Sequence, residues 1–175
     1  MNIKIGFGIW GVLLTGVSLA YAVSGEMPPQ AKRSPEFERF KALVGTWEGT
    51  SAEHDGSTKP VKVEYLLSSS GTVVVEKLFT GTPHEMTSVY HDTKGELNMT
   101  HYCALGNHPE LAFQNAEGNK YEFTLAPVNS IGADEPHMHA LQVEFKDADH
   151  VVQTWTYYEQ GKPQGSTVIT LSRAP

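Results

Sequence analysis

Histidine and cysteine recur at two-residue spacing in two short segments of this chain, Met99-Thr100-His101-Tyr102-Cys103 and His137-Met138-His139-Ala140-Leu141. A strand sends residues i and i+2 to the same face. On that rule Leu97, Met99, His101 and Cys103 share one face, and His137, His139, Leu141, Val143 and Phe145 share another. Both sets mix apolar side chains with imidazole or thiol. The expectation is that all four reactive groups enter the end of a hydrophobic interior. If His137 and His139 faced outward, Leu141, Val143 and Phe145 would be exposed, at about 1.5–3 kcal/mol each.

The chemistry such a set offers is ligation. Residues i and i+2 lie about 6.6–6.8 Å apart along a strand. Two imidazoles there can converge on one cation at roughly 2.0–2.1 Å each. His101, Cys103, His91 and Glu85 are candidates for a further ligand. The metal set is therefore His101, Cys103, His137 and His139, and a transition metal such as zinc is the cofactor it implies. Tyr90, His91, Tyr102 and Trp155 are expected to contact a small organic ligand in the same pocket. Either face of the 85–92 segment could look inward: Met86, Ser88 and Tyr90 on one, Glu85, Thr87, Val89 and His91 on the other.

These residues need a scaffold, and turn chemistry supplies one. Ser34 is a good N-cap with Pro35 at the first helical position. Phe37, Phe40 and Val44 fall on one stripe, and Gly45 reads as the stop. Beyond it, strands are expected at 45–53, 60–69, 72–80, 85–92, 96–104, 110–116, 119–126, 137–146, 150–158 and 165–173. Turn clusters separate them, among them Thr93-Lys94-Gly95, Glu117-Gly118-Asn119 and Gln160-Gly161-Lys162-Pro163. A meander of about ten antiparallel strands must close or split into two sheets. The fold class expected is all-β, a closed or nearly closed barrel with a short N-terminal capping helix.

The first residues read as an export signal. Lys4 is the only charge before Glu26, an apolar stretch runs from Ile5 to about Ala20, and Ala20-Tyr21-Ala22 fits a cleavage site. The organisation expected is a signal peptide over 1–22, a linker over 23–33 and one domain over 34–175. The protein is then periplasmic or extracellular, with no stable membrane insertion after cleavage. A net charge of −7 disfavours nucleic acid as a partner. Cys103 is the sole cysteine, so no internal disulfide forms, and a lone thiol in an oxidising compartment is best buried or ligated.

Gly45-Thr46-Trp47-Glu48-Gly49, placed where the helix meets the first strand, resembles the Gly-x-Trp motif of calycin barrels: lipocalins, fatty-acid-binding proteins and nitrobindin-like haem proteins. The resemblance implies that Trp47 closes one barrel end and that Arg173, at the end of the last strand, packs over it. Glu85-Met86-Thr87-Ser88-Val89-Tyr90-His91 and the run from Thr100 to Pro109 resemble an uncharacterised group of bacterial exported barrels of this type. Haem enters as a second cofactor, ranked behind a metal such as zinc.

No phosphate-binding glycine loop, Cys-x-x-Cys or Gly-x-Ser-x-Gly occurs. The leading expectation is an exported barrel that binds a small molecule or metal. The alternatives are a cofactor-free or metal-assisted lyase, isomerase or hydrolase using the same pocket, and a structural or partner-binding module.

Overall fold

The computed structural model describes residues 32–53 and 55–175. The expected signal peptide, the linker up to residue 31 and His54 lie outside the described residues. Helix α1 (Pro35–Lys41) is followed by ten strands: β1 (Gly45–Ala52), β2 (Thr58–Ser68), β3 (Val73–Leu78), β4 (Met86–Thr93), β5 (Glu96–Tyr102), β6 (Glu110–Glu117), β7 (Lys120–Leu125), β8 (His137–Phe145), β9 (His150–Glu159) and β10 (Lys162–Arg173). Each pairs antiparallel with its neighbour in sequence, and β1 pairs with β10, so the barrel closes. Closure removes the unpaired edges that an open meander would leave. No described helix is long and apolar enough to cross a membrane.

At the closing seam Trp47 stands opposite Arg173 and Gly49 opposite Leu171. The strands approach so closely that a Cβ on Gly49 would lie 1.8 Å from the Thr170 carbonyl oxygen. Only glycine fits there.

One end of the barrel is plugged by α1. The Ser34 side chain accepts from the Phe37 amide at 3.0 Å and donates to Asp92 at 2.8 Å, which ties the helix start to β4. Phe40 enters the barrel and meets Tyr90 at 4.8 Å, with Phe123 and Phe145 each at 5.6 Å between ring centroids. The helix departs from expectation at its end. The amides of Ala42, Leu43 and Val44 bond to carbonyls three residues back, so the last turn tightens toward three residues per turn. Leu43 therefore lines up with Phe37 and Phe40 and is buried, while Val44 turns outward. Gly45 does not stop the helix; Ala42 caps it and Gly45 opens β1.

Trp47 and Arg173 close this end. The Arg173 guanidinium lies 4.3 Å from the Trp47 ring centroid and donates to the carbonyls of Ala42 at 2.8 Å and Val44 at 3.0 Å. Trp47 Nε1 donates to the Leu43 carbonyl at 2.7 Å. The opposite end, where the β1–β2 and β3–β4 connections lie, β5 ends and β8 begins, is open and holds the cavity described next.

Candidate functional site

β3 alternates Val74, Glu76 and Leu78 inward, and β4 alternates Ser88 and Tyr90 inward. Glu76 is thereby driven into the core, with no exposed surface. A buried carboxyl needs partners, and neighbouring strands provide them. Tyr65 on β2 donates to Glu76 Oε1 at 2.6 Å, Tyr90 donates to Oε2 at 3.0 Å, and Gln153 Nε2 on β9 also donates to Oε1. Burial pushes the Glu76 carboxyl above its ordinary value, against the hydrogen bonds from Tyr65, Gln153, Ser88 and Tyr90 that pull it down. Burial, with the Glu76 charge beside them, raises both tyrosine phenols well above the usual value.

This polar belt extends to a histidine. Ser88 Oγ lies 3.0 Å from His101 Nδ1 on the paired position of β5. The Ser88 hydroxyl can donate to Nδ1 or accept from it, according to which ring nitrogen carries the proton. With the imidazole proton on Nδ1, the Nε2 lone pair is left bare. His101 is 1 % exposed, and Nε2 has no hydrogen-bond partner within the protein. Burial pushes its pKa down to about 4, so it is neutral at physiological pH. Its ring packs against Trp155 at 4.6 Å, and Trp155 Nε1 donates to Gln153 Oε1 at 2.9 Å.

His101 and Trp155 belong to the wall of a cavity of about 350 Å³ at the open end. Leu78, Phe79, Met86, Met138 and Ile169 supply most of the remaining apolar wall, while Glu53, Lys59, His84 and Thr167 bring polar groups to it. Glu53 is held by Ser51 and Thr167 hydroxyls at 2.9 and 3.0 Å. The size sits at the lower end of small-molecule sites, which run roughly 300–1,000 Å³.

The expected ligand set divides here. Leu97, Met99 and His101 face inward together, and Cys103 follows at the strand end, half-buried, with Sγ 3.9 Å from Met86 Sδ. Burial raises its thiol pKa. The shared inward face expected for His137, His139 and Leu141 is corrected by the structure. A β-bulge interrupts β8: His137 pairs with Tyr158 and Met138 with Tyr157, but Ala140 then pairs with Thr156. One extra residue reverses the alternation, so Met138 lines the cavity, while His137, still only 3 % exposed, and the half-buried His139 pack against Tyr158 and do not line it. The His139 ring stacks on Tyr158 at 3.8 Å.

The pair is internally committed. The Glu135 carbonyl accepts from His137 Nδ1 at 2.7 Å, and His137 Nε2 lies 3.0 Å from His139 Nδ1. Both His137 nitrogens are therefore used. The structure does not bring this pair to the cavity that holds His101. Among the described residues, no three His, Cys, Asp or Glu side chains are grouped to hold a metal.

Of the residues expected to touch an organic ligand, Trp155 lines the cavity and Tyr90 lies below it in the Glu76 belt. His91 and Tyr102 do not reach it. Ser88 and Tyr90 take the inward face of β4, which turns His91 out. Tyr102, between inward His101 and Cys103, points outward and stacks on His108 with centroids 6.0 Å apart. Glu76, Ser88, Gln153 and Met138 were not among the expected site residues. A signal existed for Glu76: in Val73-Val74-Val75-Glu76-Lys77-Leu78, the face carrying Leu78 also carries the carboxylate. Nothing local marks the bulge that brings in Met138.

No family model matches the sequence, and no curated protein matches it. The crystal structure of Rv2717c from M. tuberculosis is similar, with a TM-score of 0.52 and 13 % identity, covering 82 % of this chain and 100 % of that one. A redesigned beta barrel matches with a TM-score of 0.37 and 13 % identity over 77 % of this chain and 94 % of its own. At such identity the likeness to Rv2717c speaks to fold alone: the chain is a ten-stranded antiparallel β-barrel with structural neighbours among solved proteins.

Proposed function

We propose that this is an exported binding protein that holds a small, mainly apolar organic molecule in the open end of its barrel. The observation that carries the reading is His101 Nε2, unpartnered within the protein, on a buried residue in the wall of an apolar cavity. With the ring proton on Nδ1, Nε2 is a buried acceptor without a partner, at a cost of about 1–3 kcal/mol. A ligand that offers one O–H or N–H donor and otherwise apolar surface would offset that cost. Trp155, Leu78 and Ile169 would cover its apolar body.

The reading makes a measurable distinction between 2-naphthol and naphthalene, followed by Trp155 fluorescence. A hydrogen bond worth about 1 kcal/mol predicts roughly fivefold tighter binding of the naphthol. The preference should vanish in His101→Leu while naphthalene still binds. Equal affinities in the wild type, or no binding of either, would refute it.

A second reading, acid–base catalysis on the bound molecule, is favoured by the Ser88–His101 hydrogen bond beside the buried Glu76 carboxyl. Nε2 can take a proton from a bound acid as the Nδ1 proton passes toward Ser88 and the carboxylate. Solvent deuterium exchange into a bound enolisable ketone, abolished in His101→Gln, is its test; no catalysed exchange would set it aside.

A further inference from the structure

Soft ligands gather in the wall of the same cavity and beside it. On the inner face of the β4–β5 pair, Ser88 stands opposite His101. Two residues nearer the mouth come Met86 and Cys103, whose sulfurs are 3.9 Å apart. Met86, Met138 and His101 all line the cavity. Two sulfurs each bound at about 2.3 Å to one cation lie this far apart when the angle at the metal falls between the tetrahedral and trigonal values. The third donor is independent of the sulfurs: His101 Nε2, 1 % exposed and without a protein partner, with the other ring nitrogen hydrogen-bonded to Ser88. A histidine whose second nitrogen is fixed in this way is a prepared metal ligand.

The donor types choose the metal. With only one thiol and one imidazole, the set is poor for zinc, which prefers four nitrogen, thiolate or carboxylate ligands. Thioether and thiolate select cuprous copper. Charge agrees. A monovalent cation on one thiolate is a neutral unit, so seating it among Leu78, Trp155 and Ile169 avoids the cost of an uncompensated buried charge.

We propose that Met86 Sδ, Cys103 Sγ and His101 Nε2 form a three-coordinate site for Cu(I), with Met138 as an additional thioether in the same cavity. On binding, the Cys103 S–H bond breaks, its proton leaves to solvent and the S–Cu bond forms. No electron is transferred. The site goes beyond the organic-ligand reading and does not rest on it, although both occupants would use the same lone pair.

The test is an anaerobic titration of the untagged full chain with Cu(I) against a chromophoric cuprous chelator. One equivalent should bind, releasing one proton and quenching Trp155, which packs on His101. Copper-edge X-ray absorption should show sulfur with nitrogen. Cys103→Ser and Met86→Leu should each weaken binding at least tenfold. The Met86→Leu change conserves volume, and its melting temperature reports on folding if the cysteine variant is unstable. The double change His137→Ala, His139→Ala should leave the affinity within twofold, because neither residue lines the cavity. Unchanged affinity in Met86→Leu, dependence on His137 and His139 instead, or zinc bound as tightly as Cu(I) would each overturn the proposal. Cys103→Ser should keep the preference for 2-naphthol, so the two readings fail separately.

Discussion

The burial of His101 makes acid a specific destabiliser. Its pKa falls from an ordinary 6.5 to about 4 in the folded protein, so below pH 6.5 the unfolded chain takes up a proton that the native barrel refuses. The contribution of this group is complete above pH 6.5 and is lost as pH falls through 4. At 1.36 kcal/mol per pKa unit, the linkage removes about 2 kcal/mol by pH 5 and about 3 kcal/mol by pH 4. Glu76 works the other way. Its folded pKa is raised, so its contribution is full below the ordinary carboxylate value and declines as pH rises through the folded one. Comparing two proteins that both keep Glu76 cancels most of that opposing slope. The experiment is urea denaturation of the wild type and His101→Gln at intervals from pH 7.5 to pH 4. The glutamine can still bond Ser88 but does not titrate. The variant is expected to be less stable at pH 7.5, and the gap should narrow by about 3 kcal/mol at pH 4. Two curves that stay parallel to within about 0.5 kcal/mol would refute the claim that His101 is held neutral by burial.

Other parts of the fold give independent tests. Arg173→Ala removes a ring contact with Trp47 and two carbonyl bonds across the barrel end; allowing for its partial exposure, a loss of about 2 kcal/mol is expected in chemical denaturation. Lysine at the same place should restore less than half, because one ammonium cannot stack and serve both carbonyls. Glu76→Gln turns an amide donor toward groups that already donate, and should cost about 1–3 kcal/mol. Glu76→Leu should cost more, since Tyr65, Tyr90 and Gln153 all lose an acceptor; equal stability of the two variants would contradict the hydrogen-bonding scheme. Gly49→Ala sets a methyl 1.8 Å from the Thr170 oxygen and should destabilise by more than about 4 kcal/mol or yield no folded protein. A melting temperature within a few degrees of wild type would show that the β1–β10 seam is looser than described.

Much of the architecture was readable in the chain because its signals are local. Ser34 and Pro35 mark the helix start, and the turn clusters divide ten strands whose observed limits fall within about three residues of expectation. The Gly45-Thr46-Trp47 segment and Arg173 indicated how one end closes, and the stacked guanidinium follows that pattern. Where reading failed, a residue's neighbours in space mattered more than those in sequence. Val44 lost its place to Leu43 because the final helical turn tightened to meet β1. His91 had a plausible inward face by composition, but the core chose Tyr90, whose hydroxyl reaches a carboxylate on the adjacent strand.

The two histidine segments separate the contributions most sharply. In the first, strict alternation held through Leu97, Met99 and His101, so sequence determined an imidazole on the inner wall. In the second, the same alternation was broken by one extra residue between Met138 and Ala140. A bulge carries little local signature, because it depends on how β8 must match β7 and β9 as the barrel closes. Sequence therefore determined the closed meander, its capped end and a buried His101. Tertiary structure decided that His137 and His139 turn away from the cavity, that Met138 replaces them, and that Ser88 on the neighbouring strand engages one nitrogen of His101 and leaves the other without a protein partner.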